Sequence, residues 1–237
     1  MVRCLGPGSL IWGIPVKMND LQKMGGVAAL IEAATFVVGL ALFVTLLAPY
    51  QIGDLDPGQK VAFLADNQAI MYIWNLIIYI VFGIFLVVLA LALYERLKAG
   101  SPAMVQTATA FGLIWAALII ASGMLIIKDL GVIVDLYGKD PAQAASVWLV
   151  LDSVENGLAS EFEIPGGLWV LLVSWAALRA GGLPRALNYL GVVIGVAGLL
   201  TIVPAVDVLN FVFGLGSIVW FVWVGIVMLR GSPSAAA

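Results

Sequence analysis

Long apolar runs separated by short polar segments dominate the pattern of this chain. Each run approaches the length of about 20 residues that a helix needs to cross the hydrocarbon core of a bilayer. The runs predict an all-α, polytopic membrane protein with six transmembrane helices, at Gly25–Leu47, Ala69–Leu93, Ala103–Ile127, Ile164–Ala180, Ala186–Val203 and Val208–Leu229. The fourth run is short, and we expect its helix to begin before Pro165 and to bend there, because proline removes a backbone hydrogen bond.

Two of the segments between the predicted spans contain a signal for a further helix. Asp56-Pro57-Gly58-Gln59 and Asp140-Pro141-Ala142-Gln143 both place an acid at the N-cap, proline at the first helical position and glutamine at the third. The acid and the glutamine can then satisfy free backbone N–H groups at the start of a helix. We therefore predict two external loop helices, each leading into the span that follows it.

The two ends of the chain lie outside the predicted membrane domain, residues 25–230. Residues 1–24 form an N-terminal segment without the continuous apolar core and small-residue cleavage site of a signal peptide. One hypothesis is that translation starts at Met18; the other is a short interfacial segment anchored by Trp12. Residues 231–237 are expected to form a short disordered tail.

The distribution of basic residues predicts the orientation. With the N-terminus inside, eight Lys and Arg residues fall in the inner segments, and only Lys60, Lys128 and Lys139 fall in the outer ones. Such an excess on one side is typical of the cytoplasmic face. Both termini are therefore expected in the cytoplasm, and the protein in the cytoplasmic (inner) membrane with the lipid bilayer around it.

Composition agrees with this class and removes several functions. Hydrophobic residues make up 63% of the chain and charged residues 11%, whereas a soluble domain is about half apolar and a quarter charged. The chain has no histidine and one cysteine, which excludes an internal disulfide, a thiolate metal cluster, a His-ligated haem and a Ser-His-Asp triad. The Lys and Arg residues form no basic patch, so no nucleic-acid partner is expected. The cofactor, if any, stays unknown.

Four carboxylates crowd into the segment before the fourth predicted span: Asp152, Glu155, Glu161 and Glu163. On a helix with about 100° per residue, Asp152, Glu155 and Glu163 share one face, and Glu161 lies opposite. This face is either a solvated outer surface or a binding surface. The binding alternatives are a cation, a small ligand, and a partner membrane subunit or second copy of the chain.

Glu163 differs from the other acids because it stands two residues before Pro165, where we expect freed backbone carbonyls. Lys128, at the outer end of the third span, is its expected ion-pair partner. Asn75 and Asn210 are expected at a comparable depth. Together these residues predict a polar pocket near the outer interface.

Glu32 is the second candidate, because it lies within the first predicted span. A charge at this depth costs several kcal/mol unless it is paired, hydrated or neutralised. Glu32 is therefore either a functional group or a protonated acid that hydrogen-bonds between helices. Trp169 and Trp175, in the fourth span, either pack in the core or against lipid, or line a lipophilic groove.

One stretch of the chain resembles a known family. Residues 179–204, RAGGLPRALNYLGVVIGVAGLLTIVP, carry a glycine, a Leu-Pro-Arg turn and a glycine-rich span in succession. This order resembles a bacterial and archaeal family of integral membrane proteins, domain of unknown function 4386, and the similarity extends over roughly residues 24–230. The resemblance implies a six-helix membrane fold and carries no catalytic residues.

These observations favour a non-enzymatic inner-membrane binding or accessory protein with an acidic outer face for a small ligand or a partner subunit. The alternative is a cation- or proton-coupled transporter or channel that uses intramembrane carboxylates. An enzyme with a carboxylate-only site is a third class. The candidate ligand- or ion-binding residues are Glu32, Asn75, Lys128, Asp152, Glu155 and Glu163.

Overall fold

A computed structural model describes residues 10–11, 14–15, 18–51, 53–159, 163–203 and 208–230. Two short strands, β1 Leu10–Ile11 and β2 Ile14–Pro15, pair in antiparallel fashion. The remaining elements are helices. They are α1 Met18–Val44, α2 Ala48–Gln51, α3 Pro57–Asp66, α4 Gln68–Asn75, a π-helix Leu76–Val81, α5 Phe82–Leu97, α6 Pro102–Tyr137, α7 Pro141–Ala159, α8 Glu163–Ala180, α9 Arg185–Leu200 and α10 Val208–Arg230.

Six of these helices form a closed ring. Helix α1 packs on α5, α5 on α6, α6 on α8, α8 on α9, α9 on α10, and α10 returns to α1. Glycines allow the closest approaches. A Cβ atom at Gly167 of α8 would lie 2.8 Å from the carbonyl oxygen of Gly195 in α9, and one at Gly26 of α1 would lie 3.1 Å from that of Gly225 in α10. Small residues at such crossings are typical of helix packing in membranes.

The helices are long and apolar enough for a membrane protein. In the described segments, four helices could cross a bilayer by length and composition: Asp20–Val44, Gln68–Leu97, Pro102–Tyr137 and Val208–Arg230. The apolar helices Ile164–Ala180 and Arg185–Leu200 are shorter. The all-helical membrane class is thus confirmed at the level of four spanning-length helices, and six spans stay a prediction.

The centre of the ring is a cluster of aromatic side chains. Phe82 of α5 meets Trp115 of α6 edge to face with ring centroids 5.3 Å apart, and Trp169 of α8 meets Trp220 of α10 at 5.6 Å. Such pairs contribute about 0.5–1.5 kcal/mol beyond the area that they bury. Trp169 is fully buried in this cluster, as the packing alternative for this residue predicts.

A second apolar core lies where α3 and α7 pack against the end of α6. It is built around Leu64, Leu130, Ile133 and Trp148. This packing explains why α6 runs on to Tyr137, ten residues past the predicted end of the third span at Ile127. We call α2, α3, α7 and the adjoining end of α6 the loop-helix layer.

Both helices predicted in the connecting segments are present. At α3 the Asp56 carboxylate accepts from the backbone N–H of Gln59 at 2.8 Å, and the Gln59 side chain accepts from the backbone N–H of Asp56 at 3.0 Å. At α7 the Asp140 carboxylate accepts from the backbone N–H groups of Ala142 and Gln143. The helices therefore begin at the predicted prolines, and their external location stays a prediction.

The fourth predicted span begins where we expected. The described part of α8 begins at Glu163 and Pro165 is its third residue, so the helix starts before the proline, as predicted. The three residues before Glu163 lie outside the described part of the chain, and a bend at Pro165 stays a prediction.

Candidate functional site

A pocket of about 460 Å³ lies inside the ring, toward the end of the bundle at which α1 ends and α10 begins. Its walls come from α1, the π-helix, α5, α6 and α10, and they are mostly apolar and aromatic. The lining residues include Phe36, Phe82, Trp115, Phe213 and Gly214. The pocket therefore shares one wall with the aromatic cluster at the centre of the ring.

The pocket is open to the surroundings of the bundle. Leu40 of α1 and Phe211 of α10 line it, and they are 37% and 65% exposed. Asn210, at the start of α10, adds an exposed amide to the same rim. The opening of the pocket is therefore bordered by exposed apolar side chains and one amide.

The π-helix forms one wall of the pocket, through Ile78 and Tyr79. It begins directly after Asn75, a predicted site residue. The Asn75 side chain is buried and donates to the carbonyl oxygen of Met71 at 2.9 Å. Single π-helical turns frequently occur at functional sites. Asn75 thus sits at the junction between α4 and this turn, and it is not a pocket-lining residue.

Glu32 lies one helical turn away from the pocket, on the pocket-facing side of α1. Counted from Glu32, the lining residues Thr35, Phe36, Gly39 and Phe43 follow at positions +3, +4, +7 and +11, which fall on one face of a helix. The Thr35 hydroxyl donates to the Glu32 carbonyl oxygen at 2.8 Å. The Glu32 side chain has no solvent exposure, and neither carboxyl oxygen has a hydrogen-bond partner among the described residues.

Two further buried polar groups near the pocket also lack a hydrogen-bond partner within the described part of the chain. They are Trp115 Nε1, whose side chain lines the pocket, and Ser217 Oγ, which lies three residues after Gly214 on α10. A buried donor without a partner costs about 1–3 kcal/mol. The interior around the pocket therefore contains buried polar atoms that are free to form hydrogen bonds with a bound molecule.

The predicted acids Asp152 and Glu155 lie in the loop-helix layer, and Asp129 of α6 joins them. Glu155 hydrogen-bonds to the Asp129 side chain. Two carboxylates can only accept, so this bond requires that one of them be protonated. Burial, followed by the negative charges of Asp129 and Asp152, raises the pKa of Glu155 from 4.5 to about 7.

Aromatic residues and one lysine border this acid cluster. Lys60 Nζ lies 5.6 Å from the ring centroid of Tyr50 and 5.2 Å from that of Trp148, which is the range of cation–π interactions. Burial raises the pKa of Tyr50 to about 12, and the charges of Asp152 and Glu155 act in the same direction. Tyr50 is therefore a neutral phenol at physiological pH.

The polar pocket predicted around Glu163 does not form as a unit in the described residues. Lys128 is exposed and makes no ion pair with any described side chain. Asn75 is buried elsewhere, and Asn210 lies at the rim of the apolar pocket. The backbone of Glu163 begins α8, but its side chain, like Glu161, lies outside the described residues. The predicted pair of Lys128 with Glu163 thus stays untested.

The main pocket was not anticipated from the sequence. Of its lining residues only Asn210 was singled out. Trp175, for which a groove was one alternative to packing, lies 45% exposed with the Arg179 guanidinium 5.2 Å from its ring centroid. The missing signal was the spacing of Thr35, Phe36 and Gly39 after Glu32. That spacing marks one face of α1 but does not reveal which helices face it.

Comparison with known proteins gives one match. A protein-family model described as "Domain of unknown function (DUF4386)" matches residues 24–227. No curated protein and no solved structure matches the chain. The matched region includes every helix of the ring apart from the first residues of α1 and the last of α10. The chain therefore belongs to the family described as Domain of unknown function (DUF4386), as the resemblance predicts.

Proposed function

We propose that this protein is a non-enzymatic binding protein of the cytoplasmic membrane, and that it holds a small lipophilic molecule in the pocket between α1, the π-helix, α6 and α10. The observation that carries the proposal is the pocket itself. Its volume of about 460 Å³ lies in the range of small-molecule sites, about 300–1,000 Å³. Its mostly apolar walls and its few polar groups are also typical of such sites.

The opening of the pocket supports a ligand that arrives through the bilayer. The exposed side chains of Leu40 and Phe211 form an apolar rim, and Asn210 supplies one amide for a polar group of the ligand. A water-soluble ligand has little to bind here. The proposal therefore moves the ligand from the acidic outer face, which the sequence favours, into the interior of the bundle.

The acid cluster of Asp129, Asp152 and Glu155 supports partner binding less strongly than the pocket supports ligand binding. Glu155 and Asp129 bond to each other, and this contact joins α7 to α6. No group of three or more His, Cys, Asp or Glu side chains in the described segments has an arrangement that fits a metal ion. We assign these acids to the packing of the loop-helix layer, with a partner subunit or second copy as the alternative.

The proposal includes six spans with both termini in the cytoplasm. The excess of Lys and Arg in the segments that would then be cytoplasmic supports this orientation. Helix α9, with 16 residues, is about 24 Å long, so the bilayer must thin locally or neighbouring helices must cover its ends. Labelling of single cysteines introduced at Gly58 or at the exposed Ala99, each with Cys4 replaced by serine, tests the topology: only the first should react with an impermeant thiol reagent in intact cells.

Gly214 allows a direct test of ligand binding. It lines the pocket within α10, and a Cβ atom there would meet no atom within 4 Å. Gly214→Phe therefore adds an aromatic side chain at the pocket wall, and its Cβ meets no neighbouring atom. Gly157 is the matched control, because it lies in α7 and its Cβ would also meet nothing within 4 Å. Both changes raise helix propensity.

The measurement is titration of the purified protein with N-phenyl-1-naphthylamine, a neutral apolar fluorophore, in nanodiscs. We expect saturable energy transfer from tryptophan in the wild type and in Gly157→Phe, and about a tenfold or larger loss of affinity in Gly214→Phe, as filling of a site demands. Equal binding by all three proteins contradicts the proposal.

Transport coupled to protons or cations is the second candidate function. The buried Glu32 carboxyl, which has no partner among the described side chains, favours it, because ionisable groups inside membranes commonly mark ion pathways. Transport predicts a proton or cation flux into proteoliposomes that Glu32→Gln abolishes. A pure binding protein gives no flux in either form.

A further inference from the structure

Glu32 is the only ionisable acid or base in α1 after Lys23, and its environment in the bundle does not stabilise a charge. Its Cα lies four residues before that of Phe36, which lines the pocket, and this separation corresponds to about 6 Å along the helix axis. Both its carboxyl oxygens lack a hydrogen-bond partner in the described chain. A fully buried carboxyl without a partner is retained at a cost, and its position next to the pocket suggests what offsets that cost.

No basic group of the packed helices neutralises Glu32. Helices α5 and α10 make the most extensive contacts with α1. Their charged residues are Glu95, Arg96 and Arg230, which all lie near the C-terminal ends of these two helices. Arg96 donates to the side chain of Gln22 at 2.9 Å, ten residues before Glu32 and thus about 15 Å away along α1. Tyr79 of the π-helix is the nearest titratable group that lines the pocket.

The pocket beside Glu32 is walled by aromatic rings. Phe36, Phe82, Trp115 and Phe213 all line it, and Phe82 lies edge to face with both Phe36 and Trp115. Aromatic faces attract cations, and aromatic enclosures are a common means of recognising organic ammonium groups. A positive charge placed here also feels the Glu32 carboxylate strongly, because a low-dielectric interior screens little.

We propose that the pocket takes a lipophilic organic cation, and that Glu32 releases its proton to solvent when the cation binds. This proposal rests on the proposed function, since it names the ligand class of the same pocket. The charges balance: the empty site holds a neutral carboxylic acid, and the occupied site holds a carboxylate and one monovalent cation. A lipophilic cation fits these walls better than a hydrated ion such as Na⁺, because Thr35, Tyr79 and Asn210 are the only described lining residues with side-chain oxygens, and hard ions take a shell of oxygen ligands.

Two probes of nearly the same size and shape but opposite charge test the proposal. They are tetraphenylphosphonium, a cation, and tetraphenylborate, an anion. Binding of each to the wild type, Glu32→Gln and Gly214→Phe is measured by calorimetry in nanodiscs made of uncharged lipid. Proton release is measured with a pH indicator in weak buffer, and binding of N-phenyl-1-naphthylamine shows whether each variant keeps a formed pocket.

We expect the wild type to prefer the cation by about tenfold or more and to release close to one proton per bound cation. Glu32→Gln should lose both the preference and the release while it still binds the neutral fluorophore. Should Glu32→Gln fail to fold, proton release by the wild type decides alone. Equal affinity for the two probes, or cation binding without proton release, overturns the proposal and leaves the neutral-ligand function intact. If Gly214→Phe binds all probes like the wild type, the pocket function itself fails.

Discussion

Glu155 gives a prediction of how stability depends on pH. Its folded-state pKa is about 7 against an ordinary value of 4.5, so the folded protein binds more protons than the unfolded chain between these two values. The contribution of Glu155 to the free energy of unfolding is therefore largest below about pH 4.5. It falls as pH rises toward 7 and stays constant above pH 7. Glu155→Gln mimics the protonated form and should remove this dependence.

The magnitude follows from the size of the pKa difference. At about 1.36 kcal/mol for each pH unit, the interval from 4.5 to about 7 corresponds to at most about 3–4 kcal/mol. Because the Glu155 side chain is only partly buried, screening by water reduces this to about 1–2 kcal/mol. For a chain of this size the change equals about 2–8 °C in the midpoint of thermal unfolding.

The assay is thermal unfolding of the detergent-purified wild type and Glu155→Gln from pH 4.5 to 8.5. The variant should match the wild type at the acid end and unfold at a higher temperature above pH 7, because Gln also donates to Asp129. Asp135→Asn is the control: Asp135 lies on α6, is largely exposed and pairs with Lys139 at 2.6 Å, so its loss should cost less than about 1 kcal/mol. A difference between wild type and Glu155→Gln that does not change with pH refutes the reasoning.

Two further predictions concern the opposite end of the bundle. Arg96 donates to the Gly182 carbonyl oxygen at 2.8 Å and to the buried Gln22 side chain at 2.9 Å. Arg96→Ala should therefore destabilise the protein by about 1.5–3 kcal/mol, measured as a lower midpoint of thermal unfolding. An unchanged midpoint contradicts the bridging role of Arg96. Gly182 and Gly181 have φ angles of +90° and +76°, and Ala at either costs about 1–2 kcal/mol; Gly182→Ala should be the worse of the two, because its Cβ would also meet Leu97 Cδ2 at 3.1 Å.

Much of the fold could be predicted because it depends on local chemistry. Apolar runs of spanning length identify the helices of the ring, and the Asp-Pro-x-Gln segments identify the starts of α3 and α7, where Asp56 and Asp140 cap their own helices. The length of α6 beyond the predicted third span has a different origin. Helix α6 continues past Ile127 because α3 and α7 cover it, and that contact joins residues far apart in sequence.

The candidate site was harder to predict for the same reason. Burial of Glu32 within α1 follows from its place in an apolar run, and its role in a site stays a prediction. The pocket beside it combines residues of α1, α6 and α10 that no local pattern connects. Asp129 was likewise overlooked, because its hydrogen bond to Glu155 depends on the antiparallel pairing of α6 with α7. The positions of the pocket and of the acid cluster therefore depend on which helices pack together, and the type of each residue alone does not reveal that packing.

The closure of the ring between α1 and α10 makes the order of synthesis matter. The first helix leaves the ribosome at the beginning and its neighbour α10 at the end, so the nascent protein passes through a stage in which five helices form an open arc. During that stage the flank of α1 that α10 later covers, near Gly26 and Phe36, borders lipid instead of protein. Glu32 lies between these two residues. Addition of α10 therefore completes the enclosure of the helix that carries the buried Glu32 carboxyl.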